Sequence, residues 1–130
     1  MSASSENRPI LDTCKDKFNA YYLQAVLCKK MKISALIDTG SSISIIHPKR
    51  FAALPEEVKP EIKKGKSLLK MADGGLVQSE GQVTLELDID GSIFRHEFLL
   101  ADVQASAVIG WDFMKAHDFS ISMGSGIINY

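Results

Sequence analysis

The sequence predicts an all-β domain with one short helix near its C-terminus. Three observations lead there: many short β-patterned runs, glycine-bearing turn signals between them, and a single stretch, WDFMKAH (Trp111 to His117), with helical spacing. At 130 residues, 45% apolar and 24% charged, the chain has the size and composition of one globular domain with a sizeable core.

Residues 1 to 17 are polar, are broken by Pro9, and read as a flexible lead to a domain spanning 18 to 130, with Ile10-Leu11 available as an edge strand. YYLQAVLC and KISALI are two strands joined at Lys29-Lys30-Met31 with the spacing of a hairpin. The second strand delivers Asp38 at its C-terminal end. After Asp38-Thr39-Gly40, ISIIHP alternates apolar and polar residues as a half-buried strand does, and Pro48 ends it. KRFAALPEEV is a short helical or irregular segment punctuated by Pro55, followed by charged surface to Lys66.

SLLKMADGGLVQSEGQVTLELDI then places two β-patterned arms on either side of Asp73-Gly74-Gly75, a hairpin with a glycine-rich tip. A second hairpin turn, Asp90-Gly91, joins TLELDI to SIFRHEFLLAD. SAVIG is a short apolar strand that stops at Gly110. In the helix that follows, Trp111, Phe113 and Met114 can share one face, and Asp112 lies where a carboxylate suits a helix N-terminus. FSISM, a Gly124-Ser125-Gly126 turn and IINY close the chain. ALIDTG and AVIGWD also echo one another, each running Ala and two branched apolar residues into a sharp turn, which suggests two equivalent strand-to-turn crossings.

Composition narrows the function. Lysine plus arginine (15) nearly balance aspartate plus glutamate (16), so no global field favours nucleic acid or an anionic membrane surface. No apolar run approaches the ~20 residues of a membrane span, and MSASSENRPI lacks the regions of a secretory signal, so the chain reads as cytoplasmic or as a segment cut from a larger precursor. Cys14 and Cys28 form no C-x-x-C pair; they read as free thiols, with a single disulfide as the alternative, and no metal site is expected. His47, His96 and His117 read as isolated from one another and from any nucleophile signature. Ser41 and Ser42 have no G-x-S-x-G setting, and Lys59, Lys63, Lys64 and Lys66 read as a solvated face.

The stretch SALIDTGSS drives an apolar strand into a carboxylate, which is costly to bury unless it is paired or hydrogen-bonded. An isolated Asp-Thr-Gly is ordinarily only a turn. Here ALIDTGSS, KMADGG and AVIGWDFMKAH follow in order, and this set resembles the retropepsin-like aspartic proteases, most closely the protease domains of long-terminal-repeat (Ty3/gypsy-type) retrotransposons. The resemblance covers roughly residues 20 to 130 and implies a retropepsin-like acid protease barrel. Peptide hydrolysis of this kind needs two close carboxylates sharing one proton, one acting as base on a water and the other polarising the scissile carbonyl. The chain carries one Asp-Thr-Gly, so the partner is expected from a second copy across a two-fold axis. Asp112 is the intramolecular alternative, but helix capping accounts for it and it lacks the following Thr-Gly.

The resemblance further implies roles residue by residue. Asp38 is the catalytic acid or base, Thr39 bonds across the dimer, Gly40 offers its carbonyl to substrate, and Gly110 packs behind the catalytic turn. Met71, Ala72, Asp73, Gly74, Gly75 and Leu76 form the tip of a flap that closes over a bound peptide. Water is the nucleophile, so no cofactor is expected. The expected substrate is the retroelement polyprotein from which the chain is released, cut in the cytoplasm or within a retroelement particle. Ser41, where relatives typically carry Ala, is expected to donate to the carboxylates and move activity to lower pH. Ser42 and Ile43 replace acids that hold substrate backbone in retroviral members, so binding should lean on main-chain bonds and apolar pockets, with Ile43, Ile45, Leu76, Val108 and Ile109 as lining or core. A non-catalytic dimerisation or peptide-binding module and a domesticated host protease are the alternatives that the residues leave open.

Overall fold

The structure, a computed structural model, describes residues 7–9, 21–70, 74–122 and 127–130. Its strands are β1 (Asn7–Pro9), β2 (Tyr21–Leu27), β3 (Met31–Ile37), β4 (Ile45–Ile46), β5 (Lys63–Lys70), β6 (Leu76–Ile89), β7 (Ser92–Ala101), β8 (Ala107–Ile109), β9 (Ser120–Ser122) and β10 (Ile127–Asn129). Two short helices, α1 (Pro48–Ala52) and α2 (Trp111–Ala116), and a 3-10 turn at Glu56–Val58 complete it. The all-β class stands; α2 is the expected C-terminal helix, and α1 begins the segment expected to be helical or irregular. No helix among the described residues is long and apolar enough to cross a membrane.

The large sheet runs β2-β3-β8-β4-β7-β6-β5, and a further β2–β6 pairing brings Val26 opposite Asp88 and Leu27 opposite Leu87. That contact closes six strands into a barrel and leaves β5 outside the ring. Alternation explains the interior. β2 buries Tyr21, Leu23, Ala25 and Leu27, β3 buries Ile33, Ala35 and Ile37, and β6 buries Val83, Leu85, Leu87 and Ile89. Phe98, Phe113 and Phe119 belong to the same cluster. Closure of the sheet leaves no unpaired edge strand in the ring.

The two hairpin turns differ in chemistry. Asp90 and Gly91 take φ +51° and +88°, and the Gly91 N–H donates to Asp88 Oδ1 at 2.8 Å, as an Asp-Gly turn between twisted strands should. The β2–β3 turn puts Cys28 and Lys29 at φ +50° and +62° without a glycine. Left-handed backbone is unfavourable for both. Lys29→Gly is expected to raise stability by about 0.5 kcal/mol after the greater entropy of glycine in the unfolded chain is subtracted. A urea midpoint unchanged or lowered at constant slope would show that this turn holds no strain.

Several local expectations are corrected. The ISIIHP strand is only Ile45–Ile46, because the chain must turn at Ser42-Ile43 before β4 can pair with both β7 and β8. The first flap arm starts at Lys63 and not Ser67, so part of the charged stretch is exposed strand. Trp111 does not share the buried face of α2: it is 55% exposed, while Phe113 and Met114 are buried. The added terminal strand is Asn7–Pro9, paired antiparallel with Ile127–Asn129, which in turn pairs with Ser120–Ser122. Ile10-Leu11 and Cys14 lie outside the described residues, and Cys28 is a free, half-buried thiol.

Candidate active site

The echo between ALIDTG and AVIGWD is a physical pairing. β3 and β8 run parallel in register, with Ala35, Leu36 and Ile37 opposite Ala107, Val108 and Ile109. Asp38 therefore leaves the sheet beside Gly110, and its N–H continues the ladder by donating to the Ile109 carbonyl at 3.0 Å. The turn is closed by the Ser41 N–H on the Asp38 carbonyl at 3.1 Å and by the Gly40 N–H on Asp38 Oδ1 at 3.0 Å. Asp38 is half-buried, and Thr39 and Gly40 are exposed beside it. A backbone donor on the carboxylate fixes its orientation.

Gly110 lies directly behind this turn. A Cβ there would stand 2.6 Å from the Ile43 carbonyl oxygen and 2.8 Å from that of Ser41, closer than real side chains approach. The Trp111 N–H bonds the Ser41 carbonyl at 2.7 Å, which clamps α2 to the same turn. Ser41 departs from expectation: its hydroxyl donates to the Ile43 carbonyl at 2.7 Å. Its one proton is thereby used within the turn, so a shift of the activity optimum to lower pH through donation to the carboxylate loses its basis.

Behind the turn runs a polar chain that links residues far apart in sequence. Fully buried Ser44 accepts from the Gly110 N–H at 2.9 Å and donates to Asp112 Oδ1 at 2.7 Å. Asp112 Oδ1 also accepts from the Phe113 N–H at 2.8 Å, and Oδ2 meets His96 Nε2 at 2.9 Å. His96 Nδ1 then faces His117 Nε2 at 3.2 Å. The histidines at 96 and 117 are thus not isolated, and helix capping does not account fully for Asp112. Burial works to raise the Asp112 carboxyl, but hydrogen bonds from His96, Ser44 and Phe113 outweigh it and hold the group below its ordinary 3.8. Burial and the like charge of His96 hold the His117 ring below its ordinary 6.5, against the Arg95 carbonyl and Asp112. His47 stands apart: its Nδ1 accepts from the Lys49 N–H as the cap of α1, and its Nε2 pairs with Asp102 at 3.1 Å.

The two arms β5 and β6 pair antiparallel up to Lys70 opposite Leu76, and project from the barrel with Leu68 and Leu76 exposed. Gly74 takes φ +88° and, like Gly75, is exposed; Met71, Ala72 and Asp73 lie outside the described residues. Ile43, Leu69, Gln82, His96, Phe98 and Asp112 line a cleft between the first arm and the barrel. Of the other lining candidates, Ile45, Val108 and Ile109 are buried core. No group of three or more His, Cys, Asp or Glu among the described residues could hold a metal ion.

The fold itself has counterparts among solved structures. The EIAV protease in an inhibitor complex matches with a TM-score of 0.61 at 16% identity, over 78% of this chain and 90% of that one. The fold is retropepsin-like. The retroviral protease-like domain of Ddi1 from Leishmania major matches with 0.61 at 17% identity, over 79% and 81% of the two chains. A retropepsin-like aspartic protease from Rickettsia conorii matches with 0.60 at 17% identity, over 100% and 97%. No family model matches the sequence. The retropepsin-like barrel carries Asp38-Thr39-Gly40 at the end of β3.

Proposed function

We propose that the chain is an aspartic endopeptidase that acts as a homodimer. The observation that carries this reading is the placement of Asp38. Its carboxylate is oriented by a backbone N–H on a turn whose next two residues are exposed, and the turn is braced from behind by Gly110. One carboxylate cannot at the same moment be ionised to take a proton from water and protonated to polarise the scissile carbonyl. A second Asp38 across a two-fold axis supplies the other, and the exposed Thr39-Gly40 edge is the surface through which the two turns meet. The pair holds one proton: the ionised carboxylate takes a proton from water while its protonated twin polarises the scissile carbonyl.

Substrate would lie in the cleft below β5 and β6, with the tip at residues 71–76 closing as a flap. Ser42 and Ile43 offer no charge to an extended peptide, so recognition rests on backbone hydrogen bonds and apolar side chains. A polyprotein that includes the protease itself, as in a retroelement, is the substrate class proposed. The three-stranded β1-β10-β9 sheet presents edge strands to which a partner chain could add.

The test is cleavage of an apolar-rich peptide library across mildly acidic pH by the unmodified chain and by Asp38→Asn. Cleavage confined to the unmodified chain, with specific activity rising with protein concentration, is expected. Equal cleavage by Asp38→Asn would exclude the aspartic mechanism.

A further inference from the structure

We infer that Ser44, Asp112, His96 and His117 are positioning residues for the turn that carries Asp38, and that the contact between the two rings sets the acidic limit below which the turn is released. The effect on cleavage rests on the endopeptidase reading. The chain of contacts does not.

Each link has one job. A Cβ added to Gly110 would stand within 3 Å of the Ile43 and Ser41 backbone, and the Gly110 N–H is held by Ser44 Oγ. Ser44 is fully buried, so its hydroxyl must both accept and donate, and the group it donates to is Asp112. Asp112 is oriented in turn by His96, which spans from β7 to α2. His96 is oriented by His117, which follows the end of α2. A carboxylate held from both sides keeps Ser44 in one rotamer, and Ser44 keeps Gly110 seated behind Asp38.

The link between the rings depends on proton count. Two facing imidazole nitrogens bond only when one carries a proton and the other does not. With His96 giving its Nε2 proton to Asp112, either one further proton between the rings completes the chain, or two leave N–H facing N–H at 3.2 Å. The second condition is reached by acidification. The charged groups acting on His117 are His96 and Asp112, with the Arg95 carbonyl as a further acceptor, and the uncharged rings of Phe94 and Phe113 pack against this half-buried side chain. On the cleft side of His96, Glu97 is occupied by Lys63 at 3.5 Å. His96 and Asp112 line that cleft, so protons have a route to the network.

His117 is held below 6.5 in the folded chain, so the unfolded chain takes up its proton first as pH falls. The stability contributed by the neutral ring is complete above 6.5 and is lost as pH drops from there through the folded value. Asp112, held below 3.8, keeps its contribution throughout that range.

The deciding experiment measures thermal midpoints against pH in the Asp38→Asn chain, where self-cleavage cannot interfere, with and without His117→Phe. Phenylalanine at 117 joins the aromatic cluster of Phe94, Phe113 and Phe119 and cannot be charged. The midpoint should fall between about pH 7 and pH 5 with histidine and fall less with phenylalanine. Equal falls would overturn the inference. If His117→Phe does not fold, ring titration of the unmodified chain by NMR decides: coupled titration with His117 below 6.5 supports the inference, and two independent ordinary titrations overturn it. In the active chain, His117→Phe should retain roughly threefold more of its own maximal kcat/KM at pH 5 than the unmodified chain does. Superimposable acid limbs would overturn the positioning role. A pH-dependent midpoint that His117→Phe flattens, in a chain that cleaves nothing, would support the network and sink the endopeptidase reading.

Discussion

Gly110→Ala is expected to unfold the site before it unfolds the protein. The added methyl would meet the backbone of Ile43 and Ser41 at 2.6 to 2.8 Å, and backbone held by β4 on one side and by the Asp38 turn on the other cannot swing away as a flexible side chain could. Overpacking against main chain costs about 3 kcal/mol. In a domain of this length that is a midpoint lowered by about 10 °C. The loss of cleavage should be larger than this implies, because moving the Ser41–Ile43 backbone moves Asp38 as well, and about 1 Å of misplacement costs on the order of a hundredfold in rate. Gly65→Ala is the control for glycine replacement in a strand, since nothing stands within 4 Å of its added Cβ. Its midpoint should move by less than about 2 °C. Equal effects at the two positions would remove Gly110 from the account.

Asp38→Asn is expected to abolish cleavage while sparing the fold. Asparagine has the shape of aspartate and can still accept from the Gly40 N–H through its amide oxygen, so the turn keeps its closing bond. What it loses is a group able to take a proton from water. Removal of a positioned general base costs roughly a thousandfold in rate. A thermal midpoint close to that of the unmodified chain, together with lost cleavage, would separate chemistry from stability.

Much of this site was legible in the sequence because its causes are local. An apolar run ending in Asp-Thr-Gly fixes a strand and the turn beyond it, and the in-register pairing of Ala35 with Ala107 explains why ALIDTG and AVIGWD read alike. Asp90-Gly91 turns the chain by local backbone preference and the bond to Asp88. The polar chain behind the turn has non-local causes. His96 and His117 stand 21 residues apart, and Ser44 and Asp112 stand 68 apart, so no spacing rule links them. A signal was nonetheless present. His96 falls between Phe94 and Phe98 in the period-2 register of β7, an inward position where a polar ring needs a partner, and His117 falls one helical turn after buried Phe113. Ser41 differs for another reason: a hydroxyl three residues after a carboxylate is free to turn toward the Ile43 carbonyl, and sequence does not say which acceptor lies closer.

The claim at the centre is that each chain carries half of a catalyst, and mixing active and Asp38→Asn chains tests it most directly. The two are combined at fixed total concentration, allowed to exchange, and assayed for peptide cleavage. If two Asp38 carboxylates are needed, only dimers of two active chains work, so an equal mixture should show about a quarter of the activity of the unmixed protein. Activity that instead falls in proportion to the active chain, to about half in the same mixture, would contradict it.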